Sequence, residues 1–145
     1  MSKVESADLI MKLYDLRREE KMREARSWFV TFCPESMEEY MQATINPESS
    51  AKLRMVISYW DMAASFVNHG AIDEEMFAET AGEHIIVFSK VEPFLQELRE
   101  TYGNLKFLAN LEKLIMKQEG AKEMLASRRE MIKRMIKARA EAAKG

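Results

Sequence analysis

The run Leu53-Arg54-Met55-Val56-Ile57-Ser58-Tyr59-Trp60-Asp61-Met62-Ala63-Ala64-Ser65-Phe66-Val67-Asn68-His69-Gly70 decides the fold class. Leu53, Val56, Ile57, Trp60, Ala63, Ala64 and Val67 recur at intervals of three and four, the period of one helical face. The spacing predicts a helix from about Glu48 to His69. Gly70 is placed to end it in the left-handed conformation that glycine adopts without steric cost. A second helix is predicted at once. Asp73 is its N-cap, Glu74 and Glu75 meet the positive end of its dipole, and Ile72 and Phe77 occupy the two positions of a hydrophobic staple.

The same period extends in both directions, and no stretch alternates at two. Upstream, a long first helix is expected from about residue 5 to Cys33, opened by a Ser2–Glu5 capping box or by Ser6. Its apolar face is Leu9, Leu13, Leu16, Met22, Ala25, Phe29 and Phe32, with a solvated turn over the charged Arg17–Lys21. Pro34 stops it. Ser36 and Glu39 form a second capping box for a short helix ending near Ile45, and Asn46-Pro47 follows. Downstream, Gly82 breaks or bends the chain. Phe88, Val91, Leu95, Leu98 and Tyr102 mark a helix over 83–102, in which Pro93 predicts a kink or break. Gly103-Asn104 ends that helix, and Leu105–Gln118 reads as the next. The expectation is one all-α domain: a single helical bundle of about six or seven helices over 1–120, extended over 121–145 by a basic amphipathic C-terminal helix.

Composition narrows the class. The 145 residues are 47% hydrophobic and 32% charged, which describes a folded chain and not a disordered one. The single Cys excludes an intramolecular disulfide framework and suits a reducing compartment. No apolar run approaches the ~18 residues of a membrane span. A cytoplasmic address is expected. Twelve Met residues supply adaptable contact surface.

Little suggests catalysis. His69 lies at a helix C-terminus, where the dipole favours an imidazole. His84 follows Glu83, but neither HExxH nor ExxH spacing occurs, so no metal site is expected. Cys33 stands at a helix C-terminus, which disfavours a thiolate. There is no GxSxG, no phosphate-binding glycine loop and no CxxC. The expectation is a non-catalytic protein with no cofactor; an unrecognised enzyme or metal protein built on His69, His84 and nearby carboxylates is the reading opposed to it.

Charge is unevenly distributed. Residues 121–145 carry eight Lys or Arg against three Glu, a formal +5, and the rest of the chain is −7. Met124, Leu125, Met131, Ile132, Met135 and Ile136 make an apolar stripe at helical spacing. Arg129, Lys133 and Lys137 step by four along one flank, with Arg128 among the other cations. Three uses fit: docking on the acidic body or on a twin, contact with an acidic protein partner, or binding of a polyanion such as nucleic acid or an anionic membrane surface. The candidate partner-binding residues are Met124, Arg128, Arg129, Met131, Lys133, Met135, Ile136 and Lys137. No aromatic side chain interleaves the cations, which disfavours single-strand stacking. A regulatory or scaffold module working through helix faces, with self-association as one form, is the expectation.

Three segments within 53–114 carry a family resemblance: Tyr59-Trp60-Asp61, Asn68-His69-Gly70-Ala71-Ile72-Asp73-Glu74, and Val91-Glu92-Pro93-Phe94-Leu95 with Leu98-Arg99-Glu100. The chain resembles a family of uncharacterised bacterial all-helical proteins. The resemblance implies a helical fold and no particular activity. Tyr59 and Asp61 flank the core-facing Trp60, where they are placed to rim a groove. Arg99 is expected as a buried anchor to a carboxylate such as Asp61, or as an anion contact.

Overall fold

The helix read first forms the centre of the molecule. In the computed structural model, which describes residues 2–145, α4 (Ser50–Asn68) buries Leu53, Val56, Ile57, Tyr59, Trp60, Ala63, Ala64 and Val67. Packed mainly against it are α2 (Glu20–Thr31) and α8 (Ala109–Met116). The remaining helices are α1 (Lys3–Arg17), α3 (Met37–Ile45), α5 (Glu74–Thr80), α6 (Glu83–Val91), α7 (Leu95–Tyr102) and α9 (Ala121–Lys144). Among the described residues there is no strand. The chain is an all-α helical bundle.

Most predicted caps form. The Ser2 hydroxyl accepts from Glu5 N, and the Glu5 carboxylate accepts from Ser2 N. Ser36 caps α3 through Glu39 N, and Asp73 caps α5 through Met76 N. Gly70, Gly103 and Gly120 all take positive φ, and Gly120 (φ +73°) separates α8 from α9. Each helix N-terminal donor satisfied by the Ser2, Ser36 or Asp73 side chain is worth about 1 kcal/mol.

Two breaks raise the helix count above six or seven. The long first helix is in fact two, because Glu19 leaves helical geometry (ψ 141°) and turns its carboxylate onto Met22 N as the N-cap of α2. Arg18 and Glu19, both exposed, gain nothing from burial that would hold them helical. Pro93 divides the other long segment: a 3-10 turn, Glu92–Phe94, stands between α6 and α7. The helix read from Leu105 starts later, at Ala109, after turns in which Leu108 takes φ +55°.

The expected anchor is also different. Arg99 pairs with Glu112 at 3.0 Å and donates to the Phe107 carbonyl at 3.0 Å, not to Asp61. Asp61 instead accepts from Leu111 N (2.9 Å) and from the Asn110 side chain (3.1 Å), compensating free donors in the first turn of α8. Tyr59 rims no groove. It is buried, and its hydroxyl donates to the Leu13 carbonyl, tying α4 to α1.

Candidate functional site

The short helix α6 faces both α2 and α9, and its residues Glu83, Ile86, Val87 and Lys90 lie at helical spacing on the face it presents to them. Glu83 is the most heavily used. Its carboxylate accepts from Arg26 Nε (3.0 and 3.1 Å), Arg26 Nη2 (2.8 Å) and Trp60 Nε1 (2.9 Å). Burial works to raise its pKa, but the hydrogen bonds and charge of Arg26, with help from Trp60, outweigh burial and hold the carboxyl below its ordinary value. Arg17 stacks over the Trp60 ring at 5.3 Å, so this hub joins α1, α2, α4 and α6.

One turn pair further along α6, Lys90 is 3% exposed and has no carboxylate partner among the described residues. Its ammonium donates to the Phe29 carbonyl (2.6 Å) and the Val30 carbonyl (3.3 Å), in the last turn of α2, where unpaired carbonyls favour a cation. Burial pushes its pKa down to about 8. Beside it in sequence, the Ser89 carbonyl accepts from Arg129 Nη1 at 2.8 Å, which fixes α9 onto α6.

His84 is buried between Trp60 (5.9 Å) and Phe77 (4.9 Å), and its Nδ1 has no partner among the described residues. Burial and then the charge of Arg128 push its pKa down to about 4. Among the described residues no group of His, Cys, Asp and Glu is arranged to hold a metal.

Two connected openings lie along α6. A cavity of about 370 Å³ is lined by Phe29, Val30, Val56, Ile86 and Val87, with Arg26, Glu83, Lys90 and Arg128 around them. A shallower groove of about 190 Å³ is lined by Val30, Ile86, Lys90, Met131, Ile132, Met135, Ile136 and Arg139. They share Val30, Ile86 and Lys90. A larger concavity at the α1–α2 junction is lined by Asp15, Arg17, Arg18, Glu19, Arg23 and Arg26, charged side chains of both signs.

Residues 3–118 match the model of a family described as Domain of unknown function (DUF4760). The chain belongs to this family. No curated protein and no solved structure matches it. The DUF4760 span contains α1–α8, hence two walls of the groove; α9, the third wall, lies beyond it.

The candidate residues of the tail divide between those walls and the packing that holds α9. Arg128 lines the cavity, and Met131, Met135 and Ile136 line the groove. Met124 packs against the core, and Arg129 and Lys133 face the body, Lys133 lying 3.6 Å from Glu130 and 4.0 Å from Glu35. Lys137 is exposed, as is every residue after it. Tyr59, Asp61 and Arg99 line neither opening of this DUF4760 chain. The sequence reading missed Arg26, Val30, Glu83, Ile86 and Lys90. One signal was present: Lys90 is the only charge in Ile85-Ile86-Val87-Phe88-Ser89-Lys90-Val91, an apolar run that would bury it.

Proposed function

We propose that this DUF4760 protein is a non-catalytic interaction module, and that the groove between α2, α6 and α9 receives an acidic amphipathic helix of a partner protein. The observation that carries the reading is the divided stripe of α9. Leu125 and Ile132 are buried against the bundle, while Met131, Met135 and Ile136 turn toward Val30 across an incompletely filled groove, with Met135 and Val30 each 46% exposed. Methionine supplies a surface that adapts to the apolar face of an incoming helix. Arg139 lines the groove, and Arg134 and Lys137 are exposed on the same helix. These cations orient an acidic partner and speed its encounter. The free Cys33 suits a reducing, cytoplasmic setting for such a complex.

A fluorescein-labelled helical peptide, with Leu on one face and Glu on its flanks, tests the reading by anisotropy against the full chain. Binding that weakens with salt but persists at high salt, and that Met135→Glu removes, is the expected result. Equal binding of a sequence-scrambled peptide would end this reading. Loss of all binding at high salt together with tight binding of a DNA duplex would favour the polyanion alternative. A dimer by light scattering that Met135→Glu dissociates would make the partner a second copy of the chain.

A further inference from the structure

We infer that the cavity between α2 and α6 binds a small carboxylic acid on an apolar stem, with Arg128 and Lys90 holding the carboxylate and Phe29, Val56 and Val87 enclosing the stem. Its volume of about 370 Å³ falls within the range of small-ligand sites, which pair apolar walls with a few convergent polar groups. The charges around it do not cancel. Arg26 and Glu83 neutralise one another through three contacts between 2.8 and 3.1 Å. Arg128 is half-buried, lines the cavity, and makes no hydrogen bond or ion pair among the described residues. Lys90 spends two of its three protons on the Phe29 and Val30 carbonyls and keeps one. Two cations therefore line one apolar cavity without a carboxylate of their own. A buried cation left without an anion is costly, and a bound monoanion removes that cost.

The same geometry selects the head group. Two backbone carbonyls lie against the Lys90 ammonium and Glu83 lines the same cavity, so a dianion such as a phosphate monoester would meet more repulsion than a monoanionic carboxylate. A neutral alcohol of the same shape would fill the walls but leave Arg128 and Lys90 as they are.

The inference is separate from the peptide reading, since Met135 and Ile136 do not line this cavity. Calorimetric titration of the full chain with octanoate and with 1-octanol tests it. Octanoate is expected to bind about tenfold more tightly or better, the usual worth of a hydrogen bond to a charged group. Arg128→Met, whose side chain has no partner to lose, should abolish that preference with the melting temperature unchanged. Arg128→Lys should keep part of it, and Met135→Ala, which adds no charge to the groove that Lys90 also lines, should leave octanoate binding intact while weakening the acidic peptide. Methyl resonances of Val56 and Val87 should move on titrating octanoate into the wild-type chain, which reports on the site even if a variant fails to fold. Equal affinity for acid and alcohol, an Arg128→Met chain that keeps the preference, or shifts confined to the groove residues would overturn the proposal. So would a chain that takes the acidic peptide and ignores octanoate, because the carboxylate would then come from the partner's side chains.

Discussion

The two longest helices, α4 and α9, both carry an apolar stripe, yet α4 buries eight of its 19 residues and α9 three of its 24. Neighbours cover α4 on several sides: α2, α3, α6 and α8 pack on it, with α5 near its end. Contacts to α9 come from α6 and α8. The difference lies in what surrounds the stripe and not in the stripe itself. A helix with one covered side keeps the apolar residues flanking its seam partly exposed, and here those are Met131, Met135 and Ile136. A surplus of apolar surface beside a row of cations suits a second protein; α4 also leaves Met55, Met62 and Phe66 exposed, at 37–39%, but these line neither opening along α6.

Substitutions that sharpen this contrast should rank accordingly. Trp60→Ala removes the largest fully buried side chain of α4 along with the donor to Glu83, and should cost roughly 3–5 kcal/mol in chemical denaturation. A loss under about 1 kcal/mol would mean the centre of the bundle is packed differently.

Next in size is the pH dependence of stability around Lys90. Its folded pKa of about 8 lies below the ordinary 10.5, so between these values the unfolded chain holds more protons. Stability should therefore rise with pH above about 8. The full difference is roughly 3 kcal/mol, one pKa unit being worth about 1.4. Tyr40 and Tyr59 oppose this at higher pH, because burial raises both, Tyr59 to about 12, so the clean window is pH 8 to 10. Lys90→Met should flatten it. On the acid side the sign is the same. His84, held at about 4, loses stability for the fold as pH falls below its ordinary 6.5, and His84→Phe should remove that part of the acid limb.

Ile132→Ala should cost about 1–3 kcal/mol, less than a change at the centre of α4, because α9 can adjust on one side. Met135→Glu should change stability by no more than about 0.5 kcal/mol. Its effect belongs to binding.

The same contrast explains what the sequence made legible. The period of α4, the Asp73 cap, the Gly70 stop and the Pro93 break are local, each set by residues within a few positions of one another. They were readable and they stand. The division of α9 into docked and open residues depends on which helices lie beside it, so Met131 and Met135 were nominated together with Met124, which packs against the core. Lys90, Arg26 and Glu83 come from α6 and α2, over fifty residues apart, and only packing joins them. Arg99 shows the same limit: its burial was legible, but its partner Glu112 lies across a turn whose path Leu108 sets by taking positive φ, which no local preference of leucine suggests.

Amide hydrogen exchange of the full chain, with and without the acidic amphipathic peptide, tests the central claim most directly. Bound peptide should slow exchange in α9 from about Met131 to Arg139 and at the C-terminal end of α2, leaving α4 unchanged. Slowing elsewhere with α9 unaffected, or no slowing at saturating peptide, would contradict the assignment of the open stripe as a docking surface.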